Sequence, residues 1–219
     1  MAVIRRGKIL GAALWRSAGL LGLAWILGSQ PAPAALPSAT HAGDIARIEQ
    51  YLNGLTTLKA DFVQINPNGG TVTGELYYQR PDKMRLDYDP PSEILIISDG
   101  WTIVYYDRRL DQVSHLFINS TPLGFLLSDE IRLSGDVTVT EVDRSAGELH
   151  VTLVQTDEPN QGSIQLSFAE NPLELRRWTV VDAQGLPTRV VLERPETGLP
   201  LERELFRFRN PRFYPGARN

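Results

Sequence analysis

Short runs of alternating apolar and polar residues, punctuated by turn signals, recur from residue 58 to residue 192. This rhythm limits the fold more than any other feature, because a period of two is the pattern of a half-buried strand. Leu58, Ala60 and Phe62 alternate with Lys59, Asp61 and Val63, and Asn66-Pro67-Asn68-Gly69-Gly70 forms a turn cluster behind them. Residues 71–79 make the next run. Met84, Leu86 and Tyr88 alternate in a third, and Pro90-Pro91 breaks the chain before the apolar residues 94–97. Ser98-Asp99-Gly100 reads as a hairpin turn into 101–107. Later runs fall at 113–118, 137–142, 149–154, 164–168, 173–181 and 188–192, and Phe206 with Phe208 suggests a last strand. About eleven strands at near-regular spacing predict a mainly β chain. Its antiparallel sheet should curl into a barrel or half-barrel.

Two segments depart from the rhythm. Residues 43–54 read as a helix, with Asp44 as N-cap, Ile45, Ile48 and Leu52 at helical spacing, and Gly54 closing the end. Thr121-Pro122-Leu123-Gly124-Phe125-Leu126-Leu127 reads as a second, with Thr121 as N-cap and Pro122 at the first helical position. That helix is apolar nearly all round and must be covered on most sides. Two helices, one amphipathic and one almost wholly apolar, beside one curled sheet predict a lid over a concave face.

The first 34 residues have the pattern of a cleavable signal peptide. Arg5, Arg6 and Lys8 form a positive start, 9–27 is apolar apart from Arg16 and Ser17, and Ala32-Pro33-Ala34 is an A-x-A cleavage signature. Arg16 splits the apolar run, leaving it too short for a membrane anchor. The Arg5-Arg6 pair leaves the general secretory and twin-arginine routes both open. Residues 35–219 then form one domain. Without the leader, 18 basic residues face 26 acidic ones, a net charge of −8. That sign argues against nucleic acid and against standing attachment to anionic lipid. The chain has no cysteine. An exported protein without disulfides must rely on its core, and it carries no site for lipid attachment.

No catalytic constellation emerges. His41, His115 and His150 are isolated, and no metal-ligand spacing is present. Ser114 and His115 are neighbours in a strand run, so their side chains point to opposite faces. The expectation is a protein that is not an enzyme and needs no cofactor or metal. Arg80 is the residue to watch. It precedes Pro81, which favours an extended or turn backbone, and it shares a face with Gly74, Leu76 and Tyr78. A planar cation at the rim of an apolar cavity can bind carbonyls or carboxylates of a lid. An exposed turn arginine is the plainer alternative from pattern alone.

The order of these pieces is similar to one known family. GELYYQRP (74–81), MRLDYDPP, SDGWTIVYYDRRLDQV and TPLGFLL follow one another, preceded by the L-x-A-x-F-x-Q of residues 58–64. The chain resembles the periplasmic outer-membrane lipoprotein carriers of the LolA type, clearly over about residues 44–127 and by strand rhythm beyond. The resemblance implies a single half-open, unclosed antiparallel β-barrel with lid helices over a hydrophobic cavity, and a soluble, monomeric periplasmic chaperone whose cavity takes the acyl chains of lipoproteins. It implies loading from an inner-membrane ABC exporter of the LolCDE type and delivery to the outer membrane, often through a LolB-type receptor. The related receptor is held by a lipidated cysteine, which this chain lacks. By the same resemblance Arg80 latches the empty form, and Phe62, Leu76, Tyr78, Met84, Leu86 and Trp101 are candidates for the cavity. Leu123, Phe125, Leu126 and Leu127 would form the lid helix. Met84 stands where the family often has an aromatic, which points to looser acyl-chain selection. The basic-aromatic end after Phe208, NPRFYPGARN, carries no transferable role. A carrier or sensor domain for a different lipid is the alternative on the same fold.

Overall fold

Each of the eleven alternating runs from residue 58 to residue 192 forms a strand. The computed structural model describes residues 39–118, 121 and 123–214; the leader reading and Pro122 lie outside the described residues. The strands are β1 (Thr57–Ile65), β2 (Thr71–Gln79), β3 (Lys83–Tyr88), β4 (Ile94–Asp99), β5 (Thr102–Asp107) and β6 (Gln112–Phe117), then β7 (Val137–Ser145), β8 (Glu148–Gln155), β9 (Gly162–Glu170), β10 (Leu173–Asp182) and β11 (Pro187–Thr197). All pairings are antiparallel, in the order β6-β5-β4-β3-β2-β1-β11-β10-β9-β8-β7. The sheet is one unclosed ribbon with β6 and β7 as its edges. Two meanders meet only at the β1–β11 seam.

One face of this ribbon is mostly apolar. Leu58, Ala60 and Phe62 of β1, Leu76 and Tyr78 of β2, and Met84, Leu86 and Tyr88 of β3 are buried together with Leu149, Val151 and Leu153 of β8 and Trp178 of β10. Close approach is built in at Gly74, the register partner of Phe62. A methyl group there would meet the Phe62 ring at 2.7 Å and collide with the Asp87 carbonyl oxygen, so only glycine fits. The Phe62 ring instead lies edge-on to Tyr88, with centroids 5.0 Å apart.

Helix α1 (Ala39–Gly54) covers this face. It begins five residues before Asp44, so Asp44 is not its N-cap. Asp44 is the first residue of the buried stripe Asp44, Ile48, Leu52, and its carboxylate is held by Arg144 of β7 and by Arg47. The buried charge is tolerable because it is paired.

The outer face of β4 and β5 carries a smaller core of Leu95, Ile97 and Tyr106 with Val113 and Phe208. The predicted last strand is absent. Phe206 ends a 3-10 turn (Arg203–Phe206), and Phe208 lies in irregular chain. This segment crosses the sheet instead of joining it. Phe206 is only 2% exposed, and the Phe208 ring packs on Tyr106 at 5.4 Å. Arg85, buried on β3, donates to the Leu205 carbonyl at 3.0 Å and pairs with Asp87 at 2.5 Å.

Candidate functional site

The site begins where β2 ends. Alternation puts Leu76 and Tyr78 under α1, and Arg80 continues on their face one residue past the strand. Its backbone N–H is fixed to the Thr56 carbonyl at 2.9 Å. Its guanidinium then donates to four carbonyl oxygens. Nη1 reaches Leu52 at 3.2 Å and Asn53 at 2.9 Å; Nη2 reaches Ser128 at 3.3 Å and Asp129 at 2.5 Å. The first two belong to the last turn of α1, where carbonyls lack helical partners and a cation is favoured by the helix dipole. The other two follow the apolar 124–127 segment. A single planar fork therefore ties two separate pieces of chain together. Nε is buried and has no acceptor among the described residues, so the tie carries an unpaid desolvation cost.

Other groups run beside it. Asn53 donates from Nδ2 to the Ile131 carbonyl at 2.7 Å and accepts the Ile131 N–H at 2.9 Å. Glu49, one turn earlier, accepts the Leu133 N–H at 2.7 Å. The Tyr78 hydroxyl donates to the Leu126 carbonyl at 2.5 Å, and burial raises its pKa. The Asp82 N–H donates to the Leu127 carbonyl at 3.0 Å, while the Asp82 carbonyl accepts the buried Ser98 hydroxyl at 2.7 Å. Burial first and the nearby Asp129 carboxylate second raise the Asp82 pKa. Residues 123–133 are thus a strap over the open side of the sheet, fastened by polar side chains to backbone carbonyls and N–H groups.

The strap is not the predicted helix. Its regular part is a 3-10 turn of four residues, Gly124–Leu127, with Leu123 at the N-cap position. Thr121 does not cap it; its hydroxyl donates to the Ile118 carbonyl at 3.2 Å. Pro122 lies outside the described residues. The expected apolar character does the packing: Leu127 is buried, and Leu123, Phe125 and Leu126 are partly buried against the main core.

Beneath the strap lies an apolar cavity of about 30 Å³, room for about one water. Leu52 and Leu55 of α1 roof it, Leu58, Leu76, Tyr78 and Met84 come from the sheet, and Leu123 and Leu126 from the strap. Leu175 and Trp178 of β10 close the far side. Of the six residues expected to line a cavity, Leu76, Tyr78 and Met84 line this one. Phe62 and Leu86 lie in the same core away from the void, Phe62 being committed to Gly74 and Tyr88. Trp101 is a correction. It is 86% exposed, because it sits in the turn after Gly100 and not in β5, where alternation would have turned it inward or outward. Sequence reasoning missed Glu49, Asn53, Asp82, Leu175 and Trp178. Only Trp178 gave a signal, an aromatic in an alternating run.

The histidines lie apart from this cavity. His150 is buried on the outer side, with Nδ1 2.9 Å from the Ser167 hydroxyl; His115 is on β6 and His41 on α1.

The family model described as outer membrane lipoprotein carrier protein LolA matches residues 53–209. An outer-membrane lipoprotein carrier protein of Methylococcus capsulatus is 30% identical over 175 residues, covering 76% of this chain and 83% of its own. One of Pasteurella multocida is 29% identical, covering 81% and 88%. Among solved structures, an uncharacterized conserved protein from Thermus thermophilus matches with a TM-score of 0.47 at 11% identity, covering 77% of this chain and 94% of its own.

Proposed function

We propose, since the chain belongs to the LolA family of outer membrane lipoprotein carrier proteins, that it is a soluble periplasmic chaperone carrying lipoproteins with their acyl chains shielded in the space under the strap. It would be exported, with its leader cleaved near Ala34. It would receive cargo from an inner-membrane ABC exporter of the LolCDE type and deliver it to the outer membrane, directly or through a LolB-type receptor. The family is one of carriers, and no catalytic or cofactor role is assigned to any residue.

One observation carries this reading: an apolar cavity nearly closed by a strap that a single cation fastens through four carbonyls. Burial of each CH₂ gains roughly 0.8 kcal/mol, so an acyl chain of about sixteen carbons gains about 12 kcal/mol before costs. A permanently open groove with that gain would hold cargo too tightly to hand it on. A cavity of about 30 Å³ cannot admit such a chain until the strap lifts. Lifting it breaks the bonds made by Arg80, Asn53, Tyr78 and Asp82. That cost is subtracted from the binding energy, and re-forming the bonds helps expel the cargo. Arg80 is the latch in this account, and Leu123, Phe125, Leu126 and Leu127 are the lid. Phe62 and Leu86 would join the cavity wall once the lid is raised.

The test is release of lipoproteins from spheroplasts. The purified exported protein should bring inner-membrane lipoproteins into the soluble fraction as a stoichiometric complex. Protein that copurifies with another lipid and releases no lipoprotein would transfer the fold to a different lipid-binding role.

A further inference from the structure

A second cavity, on the outer face, has the opposite chemistry. The ends of β3 and β4 and the crossing C-terminal segment border an open pocket of about 450 Å³ lined by Lys83, Asp99, Arg203, Phe206, Arg207 and Phe208. Three cations line it against one carboxylate, in a domain whose net charge is −8. One oxygen of that carboxylate is engaged in its own turn: Asp99 Oδ1 accepts the N–H of Trp101 at 3.2 Å, the N–H of Thr102 at 3.1 Å and the Thr102 hydroxyl at 3.4 Å. Lys83 is the register partner of Asp99, yet the two form no ion pair. Arg203 forms none among the described residues. Arg207 shares its partner, because Glu204 holds both Arg207 at 3.0 Å and Arg209 at 2.9 Å.

We propose that this pocket receives an acidic segment of a partner protein, one presenting Asp or Glu side chains. Guanidinium forks match carboxylates geometrically, and the phenylalanines supply an apolar wall for the stems of such residues. The volume suits a protruding side chain or two. The acidic remainder of the chain repels an anionic bilayer. The same repulsion gives the pocket its value. An acidic partner is opposed over most of this surface and attracted here, so the charge pattern fixes where it lands. The landing place is next to the strap, since Lys83 follows Asp82, whose N–H holds the Leu127 carbonyl. The inference deepens the carrier reading and rests on it only for the partner's task, which would be handover of cargo.

The experiment is an NMR titration of the ¹⁵N-labelled exported protein with the blocked peptide Ac-Glu-Leu-Asp-Glu-NH₂. The controls are Ac-Gln-Leu-Asn-Gln-NH₂, inorganic phosphate and vesicles of phosphatidylglycerol with phosphatidylcholine. The acidic peptide should give saturable shifts at Lys83, Asp99 and 203–208, weakened at least tenfold in Arg203→Gln/Arg207→Gln and in Lys83→Gln, while the neutral peptide gives none. Absence of saturation, equal response to the neutral peptide, or a response to phosphate or vesicles that the acidic peptide does not match would overturn the proposal. Peptide binding without lipoprotein release would leave the pocket standing and remove the carrier reading; release without peptide binding would do the reverse.

Discussion

The sheet carries two covers, one on each face, and they are fastened differently. The inner cover, 123–133, lies over a small void and is held by hydrogen bonds from Arg80, Asn53, Tyr78 and Asp82 to its backbone. The outer cover, the segment around Phe206 and Phe208, is packed on Tyr106 and on buried Arg85, with Phe206 almost wholly removed from water. The inner cover also buries Leu127, Ile131 and Leu133, so it combines apolar packing with many polar ties, while the outer cover rests chiefly on aromatic area. The contrast separates a cover positioned by named polar side chains, each of which can be removed singly, from one seated by packing.

The sharpest way to break the comparison is to weaken the outer cover. Phe206→Ala should cost about 3–5 kcal/mol of global stability, read as a lowered denaturation midpoint, because it removes an almost wholly buried aromatic ring. A loss below about 1 kcal/mol would show that the segment is loosely attached. Next in size is Arg80→Leu. It should change global stability less but favour the raised strap by about 1.5–3 kcal/mol, a ten- to hundredfold tighter hold on a fluorescent acyl probe. Transfer of lipoprotein to acceptor vesicles should fail, and normal transfer by this variant would sink the latch. Tyr78→Phe keeps the ring and removes the bond to Leu126, so the same assay should move by about 1 kcal/mol.

Asp82→Asn sharpens the comparison through pH. Burial and the neighbouring Asp129 carboxylate raise the Asp82 pKa. A raised carboxylate pKa means that its stabilising contribution is whole below the ordinary carboxylate range and is lost as pH rises through the raised value. Strap closure should therefore weaken across that interval in the native protein and stay level in Asp82→Asn. Trp178, which lines the cavity, can report it in a Trp101→Phe background, where it is the only tryptophan after residue 34. The smallest effect belongs to Trp101→Ser, expected within about 0.5 kcal/mol of the native stability because the side chain packs on nothing that folding buries.

The strands were legible because alternation is a local signal, and turn residues mark its ends. The position of Arg80 was legible for the same reason, as the next member of the Gly74, Leu76, Tyr78 face. The errors fall where local pattern and tertiary packing disagree. Asp44 resembles a cap, but a salt bridge to Arg144, a hundred residues away, lets the helix run past it. Phe206 and Phe208 alternate like a strand, yet the segment packs across the outer face, with Phe206 buried and Phe208 against Tyr106. Trp101 lies one residue outside its strand, and alternation says nothing about a turn. Glu49 and Asn53 bind backbone groups of 131–133, an arrangement that depends on where the chain returns and leaves no mark in their own neighbourhood.

The β1–β11 seam has a consequence for how the molecule is assembled. Either meander can form from neighbouring hairpins alone, with short loops to close. The seam joins Leu58 to Thr197 and Ile65 to Arg189, so it must close a loop of more than a hundred residues. Contacts of that separation are the slow ones in a folding reaction. Half of the apolar face, from β2 to β6, therefore waits for the last strand of the chain before its partner half arrives. Pulsed hydrogen exchange during refolding should protect amides within each meander first and those of the β1–β11 pair last.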